Sequence, residues 1–130
     1  MVMRKGCLIA LIAAVAVLSE WDAFIRALIY VESRGNTEAV SKCNAVGILQ
    51  ITPIYVKEVN RILKEERYTL EDRTDPEKSL EMFGVMQDYH NPEHDIDRAI
   101  KMHNPGAGEK YSKAIKERMR HELETDLADR

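Results

Sequence analysis

Residues 32–53 read ESRGNTEAVSKCNAVGILQITP, and this passage decides how the chain is read. It shows neither a helical period nor strand alternation. Its second half, residues 45–53, is nevertheless too apolar to be disordered. Irregular passages of that length inside a compact domain are usually functional or disordered, so this one is expected to pack on the domain as the lip of a cleft. The residues before it, 20–32, read as a helix. On a wheel of 100° per residue from Trp21, Phe24, Ile25 and Leu28 fall within about 60°, and Glu32 falls at about 20°, inside the apolar stripe. Desolvation there disfavours the ionised carboxylate. Such a group can hold a proton near neutral pH, the state that general acid catalysis requires. A buried glutamate satisfied by hydrogen bonds or an arginine fits the same pattern.

Four more helices are expected downstream. One opens at Thr52-Pro53, an N-cap followed by proline in the first helical position, and turns Tyr55, Val56, Val59, Ile62 and Leu63 inward. Residues 65–74 are polar and read as a loop. The next helix opens in the same way at Asp75-Pro76, buries Met82, Phe83, Met86 and Tyr89, and ends before Asn91-Pro92. A short helix over about residues 92–103 carries Ile96, Ala99, Ile100 and His103 at helical spacing and stops at Asn104-Pro105-Gly106. The last, about residues 109–127, presents Tyr111, Ala114, Ile115, Met119, Leu123 and Leu127 as a narrow stripe under a charged outer face. The fold class is therefore all-α, one helical domain of about five helices.

Composition agrees. The 130 residues are 45% hydrophobic, 32% charged and only 6% aromatic, which suits one helical domain cored by aliphatic side chains. Nineteen basic against 22 acidic residues give a net charge of -3 without a basic stripe, so nucleic acid is not an expected partner. Residues 1–19 stand apart. Arg4 and Lys5 precede an apolar run over residues 6–18, which is shorter than the roughly 20 residues a bilayer span needs. It reads as an export signal with small residues for cleavage at Ala14-Val15-Ala16 or Val17-Leu18-Ser19. An uncleaved anchor or a buried first helix is the alternative. Residues 20–130 then form the working domain. Only Cys43 would remain after cleavage, so no internal disulfide is expected. His90, His94, His103 and His121 are scattered, and Asn91-Pro92 interrupts the pair spaced by four, so neither metal nor cofactor is expected.

Glu32-Ser33, Asn36, Ser41, Ala45, Gly47, Gln50 and Pro53 together resemble the catalytic core of the soluble lytic transglycosylase (SLT) domain family, which shares a fold with goose-type lysozymes. Asp75-Pro76-Glu77 is similar to the family's Asp-Pro-Glu helix start, and His103-Asn104-Pro105-Gly106 to its Tyr-Asn-x-Gly element. The resemblance covers residues 21–111. Three positions depart from it: His103 for tyrosine, Cys43-Asn44 for a glycine-containing turn, and Ile48-Leu49 for Leu-Met.

The resemblance implies a lysozyme-like fold and peptidoglycan glycan strands as substrate. It also implies lytic transglycosylase chemistry, with Glu32 as the single catalytic residue and Ser33, Ser41, Gly47, Gln50, His103 and Asn104 on the substrate side. Ser33 would orient the carboxyl or the sugar. Gly47 would allow close approach of backbone to ligand, or a positive φ. Gln50 offers a donor and an acceptor to an N-acetyl group. His103 takes the place of the tyrosine that contacts the catalytic glutamate, where a neutral imidazole can donate the same bond; packing on Ile96 and Ile100 is its other explanation. Tyr55, Tyr89 and Tyr111 fit either sugar stacking or the core. A goose-type hydrolase and a non-catalytic wall-binding module are the alternatives. The expected setting is the periplasm or cell envelope, as a monomer. The sequence leaves open wall remodelling, a secretion or conjugation machine, or a phage role.

Overall fold

A computed structural model of the protein describes residues 17–130. The expected export signal lies almost wholly outside the described residues. Helix α1, Glu20–Ser33, starts where Ser19 Oγ accepts the Asp22 N–H at 3.0 Å. It stops where Arg34 turns left-handed, φ 54°, and returns its N–H to the Tyr30 carbonyl. Glu20 and Asp22 occupy the first turn, where the helix dipole favours negative charge. The buried face is Ala23, Phe24, Ala27 and Leu28. Trp21, Ile25 and Ile29 also pack against the core, so Glu32, about 40° from Leu28 on the wheel and 13% exposed, lies within the stripe as expected.

Helix α2, Pro53–Leu63, is capped by Thr52 as expected and buries Val56 and Val59. Residues 65–74 are not all loop: Leu70–Thr74 forms a 3-10 helix, whose entry is fixed by the Thr69 N–H on Asp72 Oδ2 at 2.8 Å. Helix α3, Pro76–His90, starts on Asp75, which accepts the N–H groups of Glu77 and Lys78, and buries Met82, Phe83 and Met86. Tyr89, expected inward, is exposed and lies under Arg61. Helix α4, Ile96–His103, is shorter than expected, because Asp95 caps it and buried Asn91 holds the preceding turn through Gln87 and the Asp95 carbonyl. Helix α5, Gly108–Ala128, buries Ile115 and Met119 but leaves Leu127 exposed.

Among the described residues there are five α-helices and the 3-10 turn, and the strand pairing is two isolated bridges, Val40 with Val46 and Val46 with Ile51. Helices α1 and α5 form the most extensive helix pair, and they run antiparallel. Tyr111 reaches Glu32 at one end, Arg118 lies 3.7 Å from the Tyr30 ring centre in the middle, and the Leu18 N–H meets Asp126 at the other end. The core gathers Phe24, Leu28, Phe83 and Ile115 from the helices with Ile48, Leu49 and Ile51 from the irregular passage. Each such side chain contributes about 1.5–3 kcal/mol on burial.

The passage over residues 34–52 is fixed by Arg73. Its guanidinium donates to the Asn44 carbonyl at 2.6 Å and the Ile51 carbonyl at 3.1 Å. Gly47, φ +84°, packs so closely that a Cβ there would stand 1.9 Å from the Arg73 carbonyl oxygen. The close approach predicted for this glycine is therefore made by the protein's own backbone. Gly47→Ala is expected to cost about 1–3 kcal/mol for the left-handed backbone alone and more for the clash. Gly35→Ala, at φ +79° with open space around it, should carry only the backbone part. Urea unfolding of the two variants checks this; equal losses would show that the contact with Arg73 is slack.

Candidate active site

Glu32 sits in the last turn of α1 with its side chain 13% exposed. Its Oε2 accepts the hydroxyl proton of Tyr111, which α5 supplies from its first turns. Burial first, and then the carboxylate, push the Tyr111 phenol well above its ordinary pKa, so it stays protonated as a donor at any working pH. Beside the pair, a groove of about 670 Å³ separates α4 from the start of α5. Ile100, Lys101, Asn104, Pro105, Glu109 and Tyr111 are among its walls. Tyr111 thus belongs to both features, and Glu32 stands one hydrogen bond from the groove.

His103 does not make the bond expected of it. Its ring is 2% exposed, with Nε2 2.7 Å from the Leu49 carbonyl and 3.9 Å from Glu32 Oε2. A carbonyl oxygen only accepts, so Nε2 carries the proton and spends it on Leu49. Burial pushes the imidazole below its ordinary pKa, opposed by the Glu32 charge and the Leu49 carbonyl. The ring is therefore neutral, and the contact at 3.9 Å is no ion pair. A histidine-controlled acid limb near the unperturbed pKa of about 6.5 is not what this burial gives. The unfolded chain takes up that proton and the folded chain does not, so His103 lowers stability as pH falls below the unperturbed value.

The remaining expected residues are drawn together mainly as scaffold. Ser33 Oγ lies 2.8 Å from the Ile48 carbonyl and accepts the Gly35 N–H, so its proton goes to backbone and not to the carboxyl. Ser41 Oγ accepts the N–H groups of Cys43 and Ala45 and closes a turn. Gln50, itself left-handed at φ 52°, donates from Nε2 to the carbonyls of Ala39 and Gly47. Asn104 ends α4 and lines the groove. His90 and His94 pair separately with Glu58 and Asp88.

Two residues with central roles were not singled out for them. Arg73 carried no motif. Tyr111 was visible as a stripe residue whose hydroxyl needs a partner once buried. That partner becomes evident only when α5 is laid antiparallel on α1.

A family model described as the transglycosylase SLT domain matches residues 11–124. The chain belongs to that family. The matched span starts within the apolar run at the amino end. Among curated proteins no match is found. SLT domains generally cleave glycosidic bonds of peptidoglycan. Tyr111→Phe keeps the ring in the groove of this SLT domain and removes the donor to Glu32. A charge-assisted bond contributes about 1.5–3 kcal/mol, so the variant should lose about ten- to a hundredfold of turnover on purified peptidoglycan. Unchanged turnover would show that the bond is incidental.

Proposed function

We propose that the protein is a peptidoglycan lytic transglycosylase in which Glu32 serves as both acid and base. The observation that carries this is one carboxyl fixed through Oε2 by Tyr111, which itself lines the groove, while Oε1 has no hydrogen-bond partner among the described residues. Glu32 protonates the glycosidic oxygen between N-acetylmuramic acid and N-acetylglucosamine, and the C1–O bond breaks as the substrate's own N-acetyl group assists. The Glu32 carboxylate then takes the proton from the muramic C6 hydroxyl. That oxygen closes on C1 as a 1,6-anhydro ring, and no water is consumed. Tyr111 donates to Oε2 throughout, steadying the carboxylate formed midway.

Most glycosidases use two carboxylates, and two others line this groove, Asp97 and Glu109. Asp97 is tied to Lys116 at 2.6 Å. Glu109 is exposed near Tyr111, which keeps a goose-type hydrolase as the second reading, with Glu109 activating water. Product mass separates the two. Digested wall should yield anhydromuropeptides, whereas products heavier by one water would mark a hydrolase. Glu32→Gln should reduce cleavage by 10²-fold or more while the fold survives. Retention of about a tenth of the activity would remove Glu32 from the role, and an inactive wild type on purified wall would leave a binding module.

Action on the wall requires export, and among the described residues no helix is long and apolar enough to cross a membrane. We propose that the amino-terminal segment is an export signal cut after Ala16. Such a cut keeps Leu18, whose N–H is held by Asp126, and Ser19, which caps α1. A cut after Ser19 removes both, at about 0.5–2 kcal/mol for the cap alone. Sequencing the amino terminus of exported protein should find Val17. A start at Glu20 would show that the cap is dispensable, and an intact Met1 in the membrane fraction would make the segment an anchor.

A further inference from the structure

His103 is a buried titratable group for which the reaction above has no use. It ends α4, with its ring set edge-on to Tyr55 at 5.8 Å and Phe83 at 5.7 Å. Among the described residues its buried Nδ1 has no partner, and neither has the Tyr55 hydroxyl. A charged ring would place a second N–H at Nδ1 with nothing to receive it, in addition to the cost of a buried charge. The titratable groups around the ring are Glu32 of α1, Tyr55 of α2 and, through Glu32, Tyr111 of α5. The Nε2 proton is committed to Leu49, a fully buried residue in the tight turn where the Gln50 N–H returns to the Gly47 carbonyl. The adjacent carbonyl, Ile48, is held by Ser33, the residue after Glu32. Two consecutive carbonyls are thus tied to the residue that follows Glu32 and to a ring 3.9 Å from its carboxyl.

We propose that His103 is a positioning residue: as the neutral imidazole protonated on Nε2, it holds the Leu49 carbonyl and so fixes the turn from Gly47 to Gln50 against Glu32. The effect on turnover rests on Glu32 being the acid; the effect on the wall does not. Nitrogen NMR of the imidazole should find the neutral Nε2–H form at pH 7. In His103→Leu, which fills space without a donor, the Gln50 and Ile51 amides should exchange at least tenfold faster. Turnover on soluble glycan strands should fall tenfold or more, with KM moving less than about threefold. His103→Gln, whose amide Nε2 can reach the same carbonyl, should recover most of both losses. A proton on Nδ1, a charged ring at neutral pH, or a folded His103→Leu with wild-type amide protection and turnover would each overturn the proposal. Should His103→Leu fail to fold, the wild-type tautomer and the His103→Gln exchange rates decide it. If Glu32→Gln stays active, the catalytic reading falls, while tautomer and amide protection still report on the wall.

Discussion

The guanidinium of Arg73 reaches from the 3-10 helix into the passage between α1 and α2 and takes the carbonyls of Asn44 and Ile51, while its Nε holds Leu70. Irregular chain that packs into a core must find partners for its buried carbonyls, and here one side chain supplies several. Arg73 is itself buried and, among the described residues, has no carboxylate partner. Burial accordingly pushes its pKa down, and carbonyl dipoles are its compensation. With those contacts in place, Ile48, Leu49 and Ile51 can enter the core, and the turn between them can face the end of α1. Gly47 fits the same constraint, since only a residue without Cβ allows the Arg73 carbonyl so near.

The second requirement is the antiparallel docking of α5 on α1. Glu32 ends the stripe that α1 turns toward the core, and its carboxyl meets Tyr111 at the start of α5. A wholly buried glutamate would have no route to substrate, whereas a fully exposed one would have no fixed donor. The observed placement, 13% exposed and bonded to a phenol, lies between these limits.

The sequence made the helices legible because their ends carry strong local chemistry: Thr52-Pro53 and Asp75-Pro76 each cap a helix where expected. Local signals also marked the irregular passage as structured, and the family resemblance marked Gly47 as a place for close approach or a positive φ. They did not reveal which atoms the passage would bind. Ser33, Ser41 and Gln50 offered polar groups that suit a sugar equally well, and the structure spends much of that capacity on backbone carbonyls and N–H groups. Such use depends on long-range placement, as does the role of Arg73, which lies 29 residues from one carbonyl it holds and 22 from the other. The helical wheel placed Glu32 in the stripe, where its side chain is 13% exposed, but it could not name Tyr111 as its partner, because that depends on which helix packs there.

His103 and Tyr111 show how two donors near one carboxyl can be assigned from chemistry instead of proximity. Both approach Glu32 Oε2, and both have pKa values displaced by burial, but in ways that leave each of them neutral. A neutral imidazole has a single proton, and the Leu49 carbonyl at 2.7 Å claims it. A phenol also has one, and Glu32 receives it. The carboxyl therefore has one donor in direct contact and a second held on the wall nearby. This division keeps Oε2 occupied without neutralising the acid with a fixed positive charge, which would favour the ionised form before any substrate arrived. A charged partner at the position of His103 would work against the proton that the proposed reaction has to deliver, and burial of the ring between Tyr55 and Phe83 is the physical means by which that charge is withheld.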